Sequence, residues 1–97
     1  LLVDGDPQGN ASSGIGLSRD EIQETVYDAL LDAQVIERAI RREVQFKHLD
    51  VLPATPDLAG AEIELVDEDE RELAMRRALS LVRDRYDYIL IDCPPSL

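Results

Sequence analysis

The sequence predicts an α/β layer fold built on a parallel sheet. Three short apolar runs, at residues 1–3, 49–52 and 88–91, are bounded by turn-forming residues and separated by stretches with helical spacing. The first and last runs are continuous rather than alternating, which is typical of parallel strands covered on both faces. Strands that alternate with helices in this order indicate βαβ units, and 97 residues leave room for one small domain.

Two helices are predicted between the first two strands. Ser18 and Glu21 have the spacing of a capping box, so we expect a helix to begin there. The apolar residues that follow share one helical face; they are Ile22, Val26, Ala29 and Leu30. Ile36 and Ile40 are four residues apart and predict a short second helix.

Two more helices are predicted before the last strand. One begins near Asp57, where apolar residues recur at helical spacing. The other begins at about Asp69 and continues towards Arg85, with acidic residues early and arginines late. That distribution suits the helix dipole, because carboxylates stabilise the N-terminal end and guanidinium groups the C-terminal end.

Composition excludes several classes of function for these residues. The 21 acidic residues exceed the 10 Lys and Arg and give a net charge of −11, so the chain by itself does not suit a phosphate backbone. One cysteine excludes an internal disulfide framework and a Cys-rich zinc site. No apolar run approaches the roughly 20 residues that cross a bilayer, and no secretory signal is present. We expect a cytoplasmic setting and, since the first residues read as strand interior without an initiator Met, an excerpt of a longer chain.

Two of the predicted strands end in a carboxylate, at Asp4 and at Asp92. Ligands of open parallel sheets bind outside the carboxyl ends of the strands, where an aspartate can hold Mg²⁺ through water. An aspartate at that position can equally cap the turn that follows the strand. The occurrence of two such residues favours a functional site.

Residues 5–16, directly after the first strand, are predicted to form a flexible polar loop. Asp6 lies on this loop, so it is better placed than Asp4 to orient an attacking water. Gly9 allows close backbone approach, and hydrogen-bonding groups for a ligand are offered by Gln8, Asn10, Ser12 and Ser13. The alternative is an ordinary Asx-Pro turn. A phosphate-binding loop that ends in Gly-Lys-Ser/Thr is absent, because the only lysine, Lys47, has no glycine near it.

Three blocks of the sequence carry a family resemblance. Residues 1–11 resemble the "LLVDxDPQGN" segment of ParA/Soj-type chromosome- and plasmid-partitioning ATPases, the deviant Walker A group that includes MinD. Residues 52–62 are similar to the middle segment of that family, and residues 86–97 to its Walker B strand and the start of switch II. The resemblance covers essentially all 97 residues in the same order, and the "DPQGN" block favours the ParA/Soj branch over MinD.

This resemblance implies a parallel-sheet P-loop NTPase-like layer fold. Residues 1–97 would form a partial ATPase domain, from switch I through Walker B to the start of switch II, without the Walker A strand and loop. The family implies ATP and Mg²⁺ as cofactors, an ATP-dependent homodimer, a ParB-type centromere-binding partner and nonspecific DNA binding through regions outside this chain. We expect a nucleoid-associated parent protein without a membrane partner, and we expect this chain alone to be inactive.

The motif match also assigns roles to single residues. Asp6 would position the hydrolytic water, and Asp92 would support Mg²⁺, through water. The residues that the resemblance places beside the cofactor are Asp4, Gln8, Gly9, Asn10, Pro94 and Pro95. Gly5 departs from the family pattern, which has an apolar residue between the two aspartates, and we expect it to loosen the strand end.

Two alternatives remain open. One is a phosphotransferase of the haloacid-dehalogenase type, in which Asp4 would be the nucleophile and Asp6 the acid/base. Pro7 and Gln8 do not continue such a motif. The other is a degenerate, non-catalytic binding module on the same fold. Within the partitioning family, these residues do not separate chromosomal, plasmid and other cargo.

Overall fold

The computed structural model describes residues 1–6, 8–55 and 68–92. The strands are Leu2–Asp4 (β1), Val51–Leu52 (β2) and Leu90–Asp92 (β3), and the α-helices are Asn10–Gly14 (α1), Val26–Leu31 (α2), Ile36–Ala39 (α3) and Glu68–Ser80 (α4). Short 3-10 turns occupy Arg19–Glu21, Ala33–Val35 and Arg83–Arg85. The helix predicted near Asp57 lies outside the described residues.

The described strands form one parallel sheet in the order β2–β1–β3. Leu2 pairs with Val51 on one side and with Leu90 on the other, and Asp4 pairs with Asp92. Parallel neighbours need long crossovers, which here contain the helices. The predicted α/β fold with a parallel sheet is confirmed.

A single cluster of buried residues joins the sheet to the helices. Val3 of β1 and Leu52 of β2 are fully buried and belong to the same cluster as Val26, Ile36 and Ala78 from three helices. Burial of this apolar surface fixes the sheet against α2, α3 and α4. No helix within the described ranges has the length and apolar character that crossing a membrane requires.

The prediction of a loop over residues 5–16 was wrong in part, because α1 lies within it. The first predicted helix begins later than expected. Ser18 and Glu21 do form a capping box, but it closes only a 3-10 turn, and Ile22 is already extended. A second capping box starts α2, because Thr25 Oγ1 accepts the Tyr27 N–H at 3.2 Å and Asp28 Oδ2 accepts the Thr25 N–H at 2.9 Å. The prediction of one helix from Ser18 was therefore wrong, whereas the short helix beginning at Ile36 is confirmed.

Two further expectations needed correction. The third strand is not covered on both faces within the described structure: Leu90 is 66% exposed and Ile91 45%, because β3 is an edge strand of the described sheet. The predicted helix at about Asp69 is confirmed, since α4 begins at Glu68. It ends at Ser80 rather than continuing to Arg85, because the backbone at Val82 leaves the helical conformation.

Candidate functional site

The carboxyl ends of β1 and β3 meet at one edge of the sheet. Asp4 and Asp92 are in register, and the N–H of Gly5 donates to the Asp92 carbonyl at 2.8 Å, which extends the pairing by one residue. A Cβ atom at Gly5 would lie only 2.8 Å from that carbonyl oxygen. The expectation that Gly5 loosens the strand end was wrong, because its lack of a side chain permits this close approach.

Asp4 is fully buried, and its carboxylate accepts three hydrogen bonds. Oδ1 accepts the Asp6 N–H at 3.1 Å, while Oδ2 accepts the Ser12 N–H at 2.8 Å and the Ser12 hydroxyl at 2.6 Å. A carboxylate removed from water needs such donors, since burial without them costs several kcal/mol. The geometry directs the oxygens of Asp4 to the protein's own groups.

Asp6 is fixed by the loop that carries it. Its side chain is 7% exposed; Oδ1 accepts the Gln8 N–H at 2.9 Å and Oδ2 accepts the Asn10 side-chain amide at 2.8 Å. A carboxylate offers about four acceptor positions, so each oxygen keeps capacity for one more donor. Asp6 is therefore held rigidly and can still accept a hydrogen bond from a water.

The loop turns at Gly9, which has a left-handed backbone (φ 70°, ψ 29°) and starts α1. A Cβ atom here would lie 2.6 Å from the Ala54 carbonyl oxygen, so the turn needs glycine for its backbone angle and for space. Gln8 and Asn10, on either side of Gly9, are exposed at this edge. The structure therefore brings these three predicted residues together around Asp6.

Ser12 does not point towards a ligand. It is 1% exposed, donates its hydroxyl to Asp4 and accepts the Ala54 N–H at 3.0 Å. The interpretation of Ser12 as a ligand-facing group was therefore wrong. The role of Ala54 was missed altogether; its only signal in the sequence was a small residue following a strand, which is too common to identify it.

Asp92 differs from Asp4 in its surroundings. Its side chain is exposed, and within the described residues its carboxylate has no hydrogen bond or ion pair. Carboxylate oxygen is the donor type that Mg²⁺ prefers. The described residues contain no group of three or more His, Cys, Asp and Glu that could hold a metal by themselves. The exposed carboxylate of Asp92 is thus of a type that can bind Mg²⁺. Pro94 and Pro95 lie outside the described residues.

A second polar pair lies at the amino ends of the strands, beside a groove of about 630 Å³. The Tyr86 hydroxyl donates to Asp50 Oδ2 at 2.6 Å. Burial, as the larger cause, and this hydrogen bond together raise the pKa of Tyr86 from 10.0 to about 12. Burial also acts to raise the pKa of Asp50, but hydrogen bonds from Tyr86 and from the Glu43 amide outweigh it and hold that pKa below its usual 3.8.

Comparison with known proteins identifies the family of this chain. The model of a family described as AAA domain (AAA_31) matches residues 1–97. The chain is 54% identical over 97 residues to the chromosome partitioning protein ParA of Myxococcus xanthus, covering all of this chain and 34% of the relative. It is 55% identical over 98 residues to the sporulation initiation inhibitor protein Soj of Bacillus subtilis, covering all of this chain and 38% of that protein.

Solved structures agree with this result. The cobyrinic acid a,c-diamide synthase of Mycobacterium smegmatis, with bound ATP analogue and magnesium, has 40% identity and a TM-score of 0.83 over 99% of this chain and 38% of its own. Apo McdA from Cyanothece, 22% identical with a TM-score of 0.83 over 99% of this chain and 38% of its own, shares the fold. The chain spans little more than a third of these proteins. The predicted resemblance to ParA- and Soj-type partitioning proteins is confirmed, and the chain belongs to the AAA domain family AAA_31.

Proposed function

We propose that residues 1–97 are the part of a ParA/Soj-type ATPase that runs from switch I through Walker B to the start of switch II. The longer protein, called the parent below, hydrolyses ATP with Mg²⁺ to drive chromosome or plasmid partitioning. One observation carries this proposal. The Gly5–Asp92 hydrogen bond of 2.8 Å joins the strand end that leads into Asp6 to the strand end that bears an exposed carboxylate. The names of the relatives and the magnesium–nucleotide neighbour support it.

In the proposed reaction, Asp6 orients the attacking water. The Gln8 amide and the Asn10 side chain hold its carboxylate at 2.9 and 2.8 Å, and the remaining acceptor positions are suited to a water O–H. Asp92 would hold Mg²⁺ through water; when bound, the metal neutralises negative charge on the phosphates. The chain's own contribution is thus orientation by a fixed carboxylate and charge placement at the sheet edge.

The exposed side of β3 supports a larger sheet in the parent. Within the described sheet β3 pairs only with β1, and the unpaired backbone of such an edge strand pairs readily with a further strand. We propose that the strand and lysine-bearing loop of the Walker A motif pair there. Residues 1–97 alone, which lack that loop, would be inactive.

The proposed partners follow from the resemblance to ParA/Soj-type proteins. The parent would form an ATP-dependent homodimer in the cytoplasm, associate with the nucleoid and respond to a ParB-type protein. The net charge of −11 is consistent with DNA contacts made by regions outside these residues.

No observation favours the phosphotransferase alternative. Its nucleophile, Asp4, is fully buried and accepts three hydrogen bonds from Asp6 and Ser12, so a phosphate would have to displace those donors.

Steady-state ATP hydrolysis by the parent and by its Asp6→Ala variant tests the proposal. We expect the variant to lose turnover while it keeps most of its ATP affinity, because the water-orienting carboxylate is removed and the lysine-bearing loop of the parent is unchanged. Asp20→Ala, which removes an exposed carboxylate from a 3-10 turn, is the control and should behave as the parent does. Wild-type turnover in Asp6→Ala would remove Asp6 from this role, and a parent without ATP hydrolysis would contradict the function.

A further inference from the structure

We propose that Asp4 and Ser12 are positioning residues that hold Asp6 in place and tie its loop to the end of β2. The three groups that form this buried relay are the Asp4 carboxylate, the Ser12 hydroxyl and the Ala54 N–H. The inference rests on the proposed function only for its catalytic consequence. The hydrogen bonds of the relay lie within this chain and do not depend on that function.

Hydrogen-bond directions in the relay follow from the donors available. The backbone N–H of Ala54 can only donate, and it points to Ser12 Oγ at 3.0 Å. The single hydroxyl proton of Ser12 is therefore free for Asp4 Oδ2, at 2.6 Å. Since Asp4 also accepts the N–H groups of Asp6 and Ser12, it acts as an acceptor in all three bonds.

These bonds span the whole loop. The Asp4 carboxylate accepts the backbone N–H of Asp6, the residue whose side chain orients the water. It also accepts the backbone N–H of Ser12 inside α1. The intervening turn at Gly9 rests against the Ala54 carbonyl, where a Cβ atom would come within 2.6 Å. Ala54 thus contacts the loop through both its N–H and its C=O group.

Burial makes each hydrogen bond of the relay difficult to replace. Asp4, Ser12 and Ala54 are at most 1% exposed, so water cannot readily replace a lost partner. Ser13 provides a contrast in the adjacent position. Its hydroxyl is exposed and donates to the Asn10 carbonyl at 3.2 Å, without contact to Asp4. Loss of the hydroxyl at residue 12, but not at residue 13, should therefore release the loop.

The first test uses ATP hydrolysis by the parent. We expect Ser12→Ala to lower kcat at least about tenfold with KM for ATP within about twofold, because small misplacements of a positioned group cost catalysis more than binding. Ser12→Thr, which restores a hydroxyl, should recover most of kcat. The control Ser80→Ala, which removes an exposed hydroxyl at the end of α4, should leave kcat unchanged. Wild-type kcat in Ser12→Ala, or a loss that Thr does not rescue, would overturn the proposal.

The second test does not require ATP hydrolysis. Amide hydrogen exchange of Ala54 in the parent should be at least about tenfold faster in Ser12→Ala than in Ser13→Ala, because the N–H loses its acceptor. Unchanged exchange would overturn the relay even if the parent hydrolyses ATP, whereas faster exchange would support it even if the parent does not. Should Ser12→Ala fail to fold, Ser12→Cys is measured by the same criteria.

Discussion

β1 and β3 carry nearly the same sequence signature and have opposite surroundings. Each is an apolar run that ends in an aspartate, and Asp4 and Asp92 are even in register. Yet Val3 is fully buried whereas Leu90 is 66% exposed; Asp4 accepts three hydrogen bonds, and Asp92 accepts none from the described residues at its carboxylate. Donors from the loop after β1 occupy the first carboxylate, whereas the described residues leave the second available to a ligand.

The same contrast recurs elsewhere in the chain. Thr25 is buried and caps a helix, while Ser18 is exposed and caps only a turn. Tyr86 donates to a buried carboxylate, while Tyr88 is 80% exposed. Within each pair the residue types are similar and the environments differ, so matched substitutions measure the effect of the environment.

The largest expected effect comes from the aspartates themselves. In the parent, Asp4→Ala leaves three buried donors without an acceptor and should lower the free energy of unfolding by about 3 kcal/mol or more. Asp92→Ala, at an exposed position, should change it by less than about 0.5 kcal/mol. Chemical denaturation measures both values; equal losses would break the comparison.

The two glycines that flank α1, Gly9 before it and Gly14 at its end, should differ next. Gly9→Ala forces a side chain into a left-handed backbone and against the Ala54 carbonyl, which should cost about 2 kcal/mol. At Gly14, a Cβ atom would meet nothing within 4 Å, so Gly14→Ala should be neutral or stabilising by up to about 1 kcal/mol. Thermal unfolding of the two parent variants distinguishes them, and a stable Gly9→Ala would contradict the packing described for the loop.

A smaller difference is expected between the two capping boxes. Thr25→Ala removes the acceptor of the Tyr27 N–H at the start of α2 and should cost about 1 kcal/mol. Ser18→Ala should cost about half as much, because it releases only an exposed turn. Urea unfolding of both variants provides the values. If Ser18→Ala proved the more costly, the helix would depend on the first box, as the sequence predicted.

The tyrosine pair should show the smallest effect, with a defined pH dependence. At neutral pH, Tyr86→Phe should cost about 0.5–1 kcal/mol through loss of the hydrogen bond to Asp50, and Tyr88→Phe less. The raised pKa of Tyr86 means that its contribution is complete below pH 10 and is lost as the pH rises towards about 12. The lowered pKa of Asp50 means that its contribution is present above about pH 3.8 and is lost below it. Unfolding free energies measured across pH check the window, and a pH-independent difference would contradict it.

Local signals predicted a large part of the fold. The apolar runs predicted all three described strands, and the charge distribution placed the start of α4 within one residue. The start of α2 was missed because two capping boxes follow one another closely in the sequence, and only packing decides which of them begins a helix. The exposure of β3 was missed because strand order is set by long-range pairing that the run itself does not encode.

The residues of the site were predictable from the sequence, but the separate role of each residue was not. Asp4, Asp6 and Asp92 were identified from their positions after strands, and the structure places Asp6 beside Gln8 and Asn10 as expected. The inward orientation of Ser12 depends on Ala54, 42 residues further along the chain. No local pattern reports such a contact.

The central claim is that Asp92, rather than the hydrogen-bonded Asp4, faces the metal in the parent. The most direct test is a Mg²⁺ titration of ATP hydrolysis by the parent and by its Asp92→Asn variant. We predict that the variant needs at least about tenfold more Mg²⁺ for half-maximal activity while its free energy of unfolding is unchanged. An unchanged Mg²⁺ requirement in a folded variant would contradict the account.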